Sequence, residues 1–114
     1  MKANNLVSLY NARVKHAKEL TPDVVINTIK DLIHPISYIP YDKKLEIIDK
    51  TIEESEGAKY PTPERYRNLI INLILTYTNI EMDKSAFDIL SDNKMLDIIL
   101  STFQSEYKIC ENLM

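Results

Sequence analysis

The stretch Arg67-Asn-Leu-Ile-Ile-Asn-Leu-Ile-Leu-Thr-Tyr-Thr-Asn-Ile80, "RNLIINLILTYTNI", is the most apolar run in the chain. Its reading decides the fold. The run is shorter than the roughly 20 apolar residues needed to cross a bilayer, and Asn72 interrupts it. With Asn68 at the origin of a helical wheel and steps of about 100 degrees, Asn72, Thr76 and Asn79 fall on one narrow stripe with Arg65 beside them. Tyr66, Leu69, Ile70, Ile71, Leu73, Ile74, Leu75, Tyr77 and Ile80 form a wide apolar surround. A helix apolar on nearly all sides is covered by other elements. Those elements belong to the same chain or to a second subunit. Uncharged Asn and Thr tolerate burial when they find hydrogen-bond partners, so the stripe leaves both coverings open.

The signals before this run mark a helix start. Thr62 can cap, Pro63 suits the first helical position, and Glu64 complements the helix dipole. The spacing predicts a helix over about 63–80. Working outward, an apolar face of Leu6, Leu9, Tyr10, Val14 and Ala17 predicts one over 4–19. "TPDVVINTIKDLI" predicts one over 22–33, with a short strand as the alternative because of its β-branched run. His34 closes that helix, and Pro35 and Pro40 hold the next segment extended. A helix over 41–56 then places Leu45, Ile48 and Ile52 inward, with Ile47 beside them. Lys44 falls among the charged residues outside, and Gly57 is the C-cap. Helices over 84–91 and 94–103 follow. Ser105 can cap a last one, which Leu113 and Met114 leave unfinished. The expectation is a single all-α domain over 1–114, a compact bundle of five to six short helices around the 63–80 helix.

Composition agrees. The chain of 114 residues contains one glycine, and sheets, tight hairpins and phosphate-cradling loops use glycine freely. Hydrophobic residues are 45% and charged residues 27%, as in soluble globular domains. One cysteine, Cys110, excludes an internal disulfide or a Cys-based zinc cluster. The first twenty residues are too polar for a signal peptide. Net charge is −3. Residues 1–20 are net basic and the rest net acidic, which disfavours a nucleic-acid partner. Arg13, Lys15 and Lys18 make the one candidate basic patch. The negative end of a helix dipole is the favoured account of them.

No catalytic set, metal site or cofactor site is expected. His16 and His34 lie on different segments without the spacing of a helical zinc site. Cys110 lacks a neighbouring base, and a small buried role is expected of it. "DKSAFDILSDNKMLD" lacks the central glycine and ligand spacing of a calcium loop. Tyr38, Tyr41 and Tyr60 fall in or beside proline-containing connections. There, amphipathic rings either pack on helix ends or meet a partner. With Asn68, Asn72, Thr76 and Asn79 they make the candidate interaction surface.

Three segments together, "SYIPYDKKLEIIDKTI", "YPTPERYRNLIINLILTYTNIEMD" and "AFDILSDNKMLDIILSTFQSEYKICENLM", carry a resemblance. In order and spacing they are similar to a family of small uncharacterised helical proteins encoded by tailed phages and prophages of Firmicutes. The shared marks are Tyr38, Ile39, Pro40 and Tyr41, then Thr62 and Pro63, then Tyr77, Thr78, Asn79 and Ile80, then Glu106 and Tyr107. The resemblance covers roughly residues 33–114 and implies a phage setting, with continuation past Met114. With no catalytic set proposed, the expectation is a non-enzymatic protein in the host cytoplasm or the phage particle, acting through contacts with itself or a larger virion protein. Two alternatives stay open. One is an inhibitor that sets the acidic 42–56 surface into a basic channel of a host nuclease or transcription factor. The other is a weak nucleic-acid-binding module using Arg13, Lys15, Lys18, Arg65 and Arg67.

Overall fold

In the computed structural model, which describes residues 1–55 and 62–114, seven helices and no strands occur among the described residues. They are α1 (Ala3–Val14), α2 (Pro22–Ile33), α3 (Tyr41–Glu54), α4 (Pro63–Tyr77), α5 (Lys84–Asp92), α6 (Leu96–Ser101) and α7 (Gln104–Leu113). The count is one above the expected five to six, and the three short C-terminal helices lie where the 84–91, 94–103 and last helices were expected. Thr21, Thr62 and Asp83 cap α2, α4 and α5, accepting from the N–H groups of Val24, Arg65 and Ala86.

Several boundaries and faces differ from the sequence-based expectation. The first helix stops at Val14 rather than near residue 19. Past Val14 only Ala17 keeps the apolar period, and Leu20 stays exposed. The expected 63–80 helix ends at Tyr77. Thr78 turns extended, donates its hydroxyl to the Ile74 carbonyl and accepts the Ile80 N–H, so the side chain replaces the next turn. α3 ends at Glu54 with Ser55 after it, and the expected Gly57 cap and Tyr60 lie outside the described residues. Phe103, rather than Ser105, precedes α7. On α3, Lys44 is buried, although it was expected outside, and Leu45 is exposed, although it was expected inside. The inward stripe is Lys44, Ile48, Thr51 and Ser55, spaced four, three and four residues apart.

The hub is α4. Arg65, Asn68, Leu69, Ile70, Ile71, Asn72, Leu73, Ile74 and Tyr77 are all buried. Its Asn stripe is covered by α3 of the same chain. The Asn68 amide donates to Ser55 Oγ at 3.1 Å, and the Asn72 amide donates to Thr51 Oγ1 and Glu54 Oε1, both at 3.0 Å. These pairs run α3 and α4 antiparallel. On the other side of the molecule α1 packs on α2 and α5, and α2 packs on α6. The two halves meet at the turns. The Ile36 N–H donates to the Tyr77 carbonyl at 2.8 Å, and the Asn79 N–H donates to the Ile33 carbonyl at 3.2 Å. The result measures 47 × 27 × 20 Å. No helix among the described residues is long and apolar enough to cross a membrane.

Among the described residues two non-glycine residues adopt left-handed backbone, His34 with φ 48° and Lys94 with φ 57°. Both end helices, where glycine is the unstrained choice. Lys94→Gly is expected to raise stability by about 0.5–1 kcal/mol, seen as a melting temperature a few degrees higher by circular dichroism. The gain arises because the left-handed strain relieved at Lys94 exceeds the extra chain entropy that glycine loses on folding. The side chain is exposed, and the N–H keeps its bond to the Ser91 carbonyl.

Candidate functional site: a buried ion pair beneath an exposed aromatic seam

Beneath the start of α3 lies the one buried Lys–Glu pair among the described residues. The Lys44 ammonium stands 2.9 Å from Glu106 Oε1, with both side chains under a tenth exposed. Each comes from the inward stripe of its helix, and the two charges meet across the α3–α7 contact. The same carboxylate oxygen accepts the Ile39 N–H at 2.9 Å and the Tyr77 hydroxyl at 3.1 Å. Lys44 also donates to the Ile39 carbonyl at 2.6 Å and lies 4.6 Å from the centre of the Tyr38 ring. Both polar backbone groups of Ile39 are thereby satisfied by side chains from two helices. Tyr77 stacks on Phe103 with ring centres 4.8 Å apart, which fixes its hydroxyl.

Burial pushes the Glu106 carboxyl up. The Ile39 N–H, the Lys44 ammonium and the Tyr77 hydroxyl outweigh that and hold it below its ordinary value, so it stays ionised near neutrality. Burial likewise pushes the Tyr77 hydroxyl up, and its bond to Glu106 adds to this, so it remains a donor. Burial pushes up the thiol of Cys110, which is fully buried against the cluster. A protonated thiol in that position is packing rather than a nucleophile. The cluster is closed on itself. It ties the 35–40 segment to α3, α4 and α7.

Above it the surface is apolar. The Asn68–Ser55 and Asn72–Thr51 bonds run α3 antiparallel to α4. The Tyr77–Glu106 bond, with the Arg65 guanidinium 3.4 Å from the Met114 carbonyl at the far end, does the same for α7. α3 and α7 are therefore parallel to each other. From Lys44 the side chains of Thr51 and Ser55 turn toward α4, and those of Tyr41, Leu45 and Ile52 turn away. From Glu106 the side chains of Tyr107 and Cys110 turn toward α4, and those of Ile109 and Leu113 turn away. The outward flanks form one seam. Tyr38 is 64% exposed, Tyr41 55%, Ile109 42% and Leu45 36%, with Ile52 and Leu113 half-buried among them. On the opposite flank of α3, an open groove of about 530 Å³ is lined by Ile36, Ile39, Pro40, Ile47 and Thr76, with Lys43, Glu46 and Lys50 at its edge.

The residues singled out from sequence are therefore spread over different surroundings. Tyr38 and Tyr41 stand together at the top of the seam. Asn68 and Asn72 are internal. Thr76 is half-buried and donates to the Asn72 carbonyl, and the Asn79 amide donates to the Leu32 carbonyl. Tyr60 lies outside the described residues. Arg13 is 3.8 Å from Asp31, while Lys15 and Lys18 are exposed beyond the end of α1, so no helix aligns the three. Arg65 is buried, and Arg67 pairs with Glu64. Lys44, Glu106, Leu45 and Ile109 were missed. The available signal was a single charge of opposite sign on the inward stripe of each helix, Lys44 with Ile48 and Thr51, Glu106 with Cys110 and Leu113. Among the described residues no group of three or more His, Cys, Asp or Glu side chains is placed to hold a metal ion. No protein-family model, no curated protein and no solved structure matches the chain.

Breaking the pair strands a charge away from water. Glu106→Ala is expected to cost about 3–5 kcal/mol in urea unfolding, and Lys44→Met/Glu106→Leu recovers part of that. Because the folded carboxyl titrates below its unfolded value, its contribution is complete above the ordinary carboxylate range. It fades as pH falls through the depressed folded value. The acid limb of stability against pH is expected to be shallower in Glu106→Gln than in the unsubstituted protein.

Proposed function

We propose that this chain is a non-enzymatic phage protein that works through protein–protein contacts, a small accessory component of the virion or of its assembly. One observation carries the contact reading. The α3–α7 seam exposes Tyr38, Tyr41, Leu45 and Ile109 above a buried ion pair. Aromatic and aliphatic side chains held rigid lose little entropy when a partner covers them. The polar chemistry of the interior supports the same reading, since Lys44, Glu106, Tyr77 and Cys110 are engaged with each other beneath the surface. The phage setting rests on the sequence resemblance, and the partner it suggests is a second copy or a larger phage protein.

A photo-crosslinking amino acid in place of Ile109 tests the contact reading in cells that produce the protein with its phage. A discrete covalent complex is expected from position 109 and none from the same group in place of Ser8, which is exposed on α1. Absence of any complex from position 109 overturns the reading. A host nuclease or transcription factor as the trapped protein replaces the assembly role with inhibition.

A further inference from the structure

The charges around the seam are one-sided. On α3, Asp42 and Asp49 lie one turn to either side of Leu45, and Glu53 lies one turn beyond Asp49. All three are exposed, and none takes part in an ion pair among the described residues. The α7 border carries Ser105 and Asn112, with Lys108 as its one cation. An apolar strip about two helices wide is therefore bounded along one side by three unpaired carboxylates. A second copy would bring the same carboxylates and one lysine to the contact, leaving most of the negative charge uncompensated. A partner with a basic border compensates it.

We infer that the seam of Tyr41, Leu45, Ile52 and Ile109 receives a basic amphipathic helix of another protein. Its apolar face lies on the seam and its Lys or Arg residues meet Asp42, Asp49 and Glu53. This rests on the contact reading above and names the partner's chemistry. α3 and α7 run parallel, and a helix presenting side chains at i, i+3, i+4 and i+7 packs along such a pair of ridges.

The probes are two synthetic amphipathic peptides with the same leucine spacing, one with lysine and one with glutamate on the polar face. Each is titrated into the full chain by calorimetry and by amide chemical-shift mapping. The lysine peptide is expected to bind saturably, with shifts concentrated on α3 and α7, and the glutamate peptide is not. Leu45→Ser/Ile109→Ser is expected to weaken binding about tenfold. Asp42→Asn/Asp49→Asn/Glu53→Gln is expected to weaken it by a similar factor and to flatten its salt dependence. Leu9→Ser on α1 leaves it unchanged. Equal binding of the two peptides, shifts scattered over other acidic surfaces, or insensitivity to the seam substitutions overturns the inference. Light scattering that shows a dimer broken by Ile109→Ser also overturns it, with a second copy as the occupant, and leaves the contact reading standing. A missing complex from position 109 in cells removes that reading itself.

Discussion

A lysine ammonium removed from water must meet a carboxylate in good geometry or lose its charge. Lys44 meets Glu106, and the consequences reach well beyond the two side chains. Glu106 also accepts the Ile39 N–H, and Lys44 also donates to the Ile39 carbonyl, so a segment with no regular structure is fixed at its midpoint. Pro35 and Pro40 already deny that segment a helix. The pair then decides where its extended backbone runs. That route leads Tyr38 over the ammonium, and leaves Tyr41 exposed at the first turn of α3. An ion pair of this kind adds little net stability over an apolar replacement, but it penalises every arrangement in which the two charges are apart. Its effect is to select one docking of α7 on α3.

The second polar seam acts differently. Asn68 and Asn72 are neutral, and each finds a hydroxyl or carboxylate oxygen on α3. Thr51 and Ser55 return their own hydroxyl protons to carbonyls four residues back, at Ile47 and Thr51. The result is a continuous ladder in which every donor has an acceptor, and it fixes the register of α3 on α4. With α3 set against α4 by the ladder, and α7 set against α3 by the ion pair, the three helices form a triangle. Its outer edge is the exposed seam.

Much of this was legible in the sequence, and what was not has physical reasons. Caps at Thr21 and Thr62 followed by Pro22 and Pro63 fix two helix starts, because those side chains satisfy N–H groups whatever the tertiary context. The inward polar stripe of α4 was legible as a stripe, since helical period alone defines it. Which molecule would cover it was not, because Asn and Thr suit either outcome. Lys44 was misplaced for a related reason. A binary reading sends every lysine to solvent, and a buried one becomes visible only when an acidic residue sixty-two positions later is known to face it. Leu45 followed as the opposite error. Once Lys44 takes the inward position, the residue after it must turn about 100 degrees away. The end of α4 at Tyr77 was hidden because Thr78 is a weak helix former rather than a breaker, and its side-chain bonds only pay off once Ile74 and Ile80 are in place.

The same two constraints bear on what the molecule can do. Buried polar groups must find hydrogen-bond partners. Glu106 spends one oxygen on three internal donors, and the Tyr77 hydroxyl is one of those donors. The groups left facing outward are rings, leucine, isoleucine and a row of carboxylates. Those suit recognition by shape and charge. Tyr38 and Tyr41 bracket Ile39 and Pro40, and the stiffness of that segment comes from the ion pair below it. A loss of the pair would therefore loosen the aromatic end of the seam before it touched Leu45 or Ile109, which are carried by the helices themselves. The exposed seam is thus built in two parts, one anchored by helical backbone and one anchored by a single buried carboxylate.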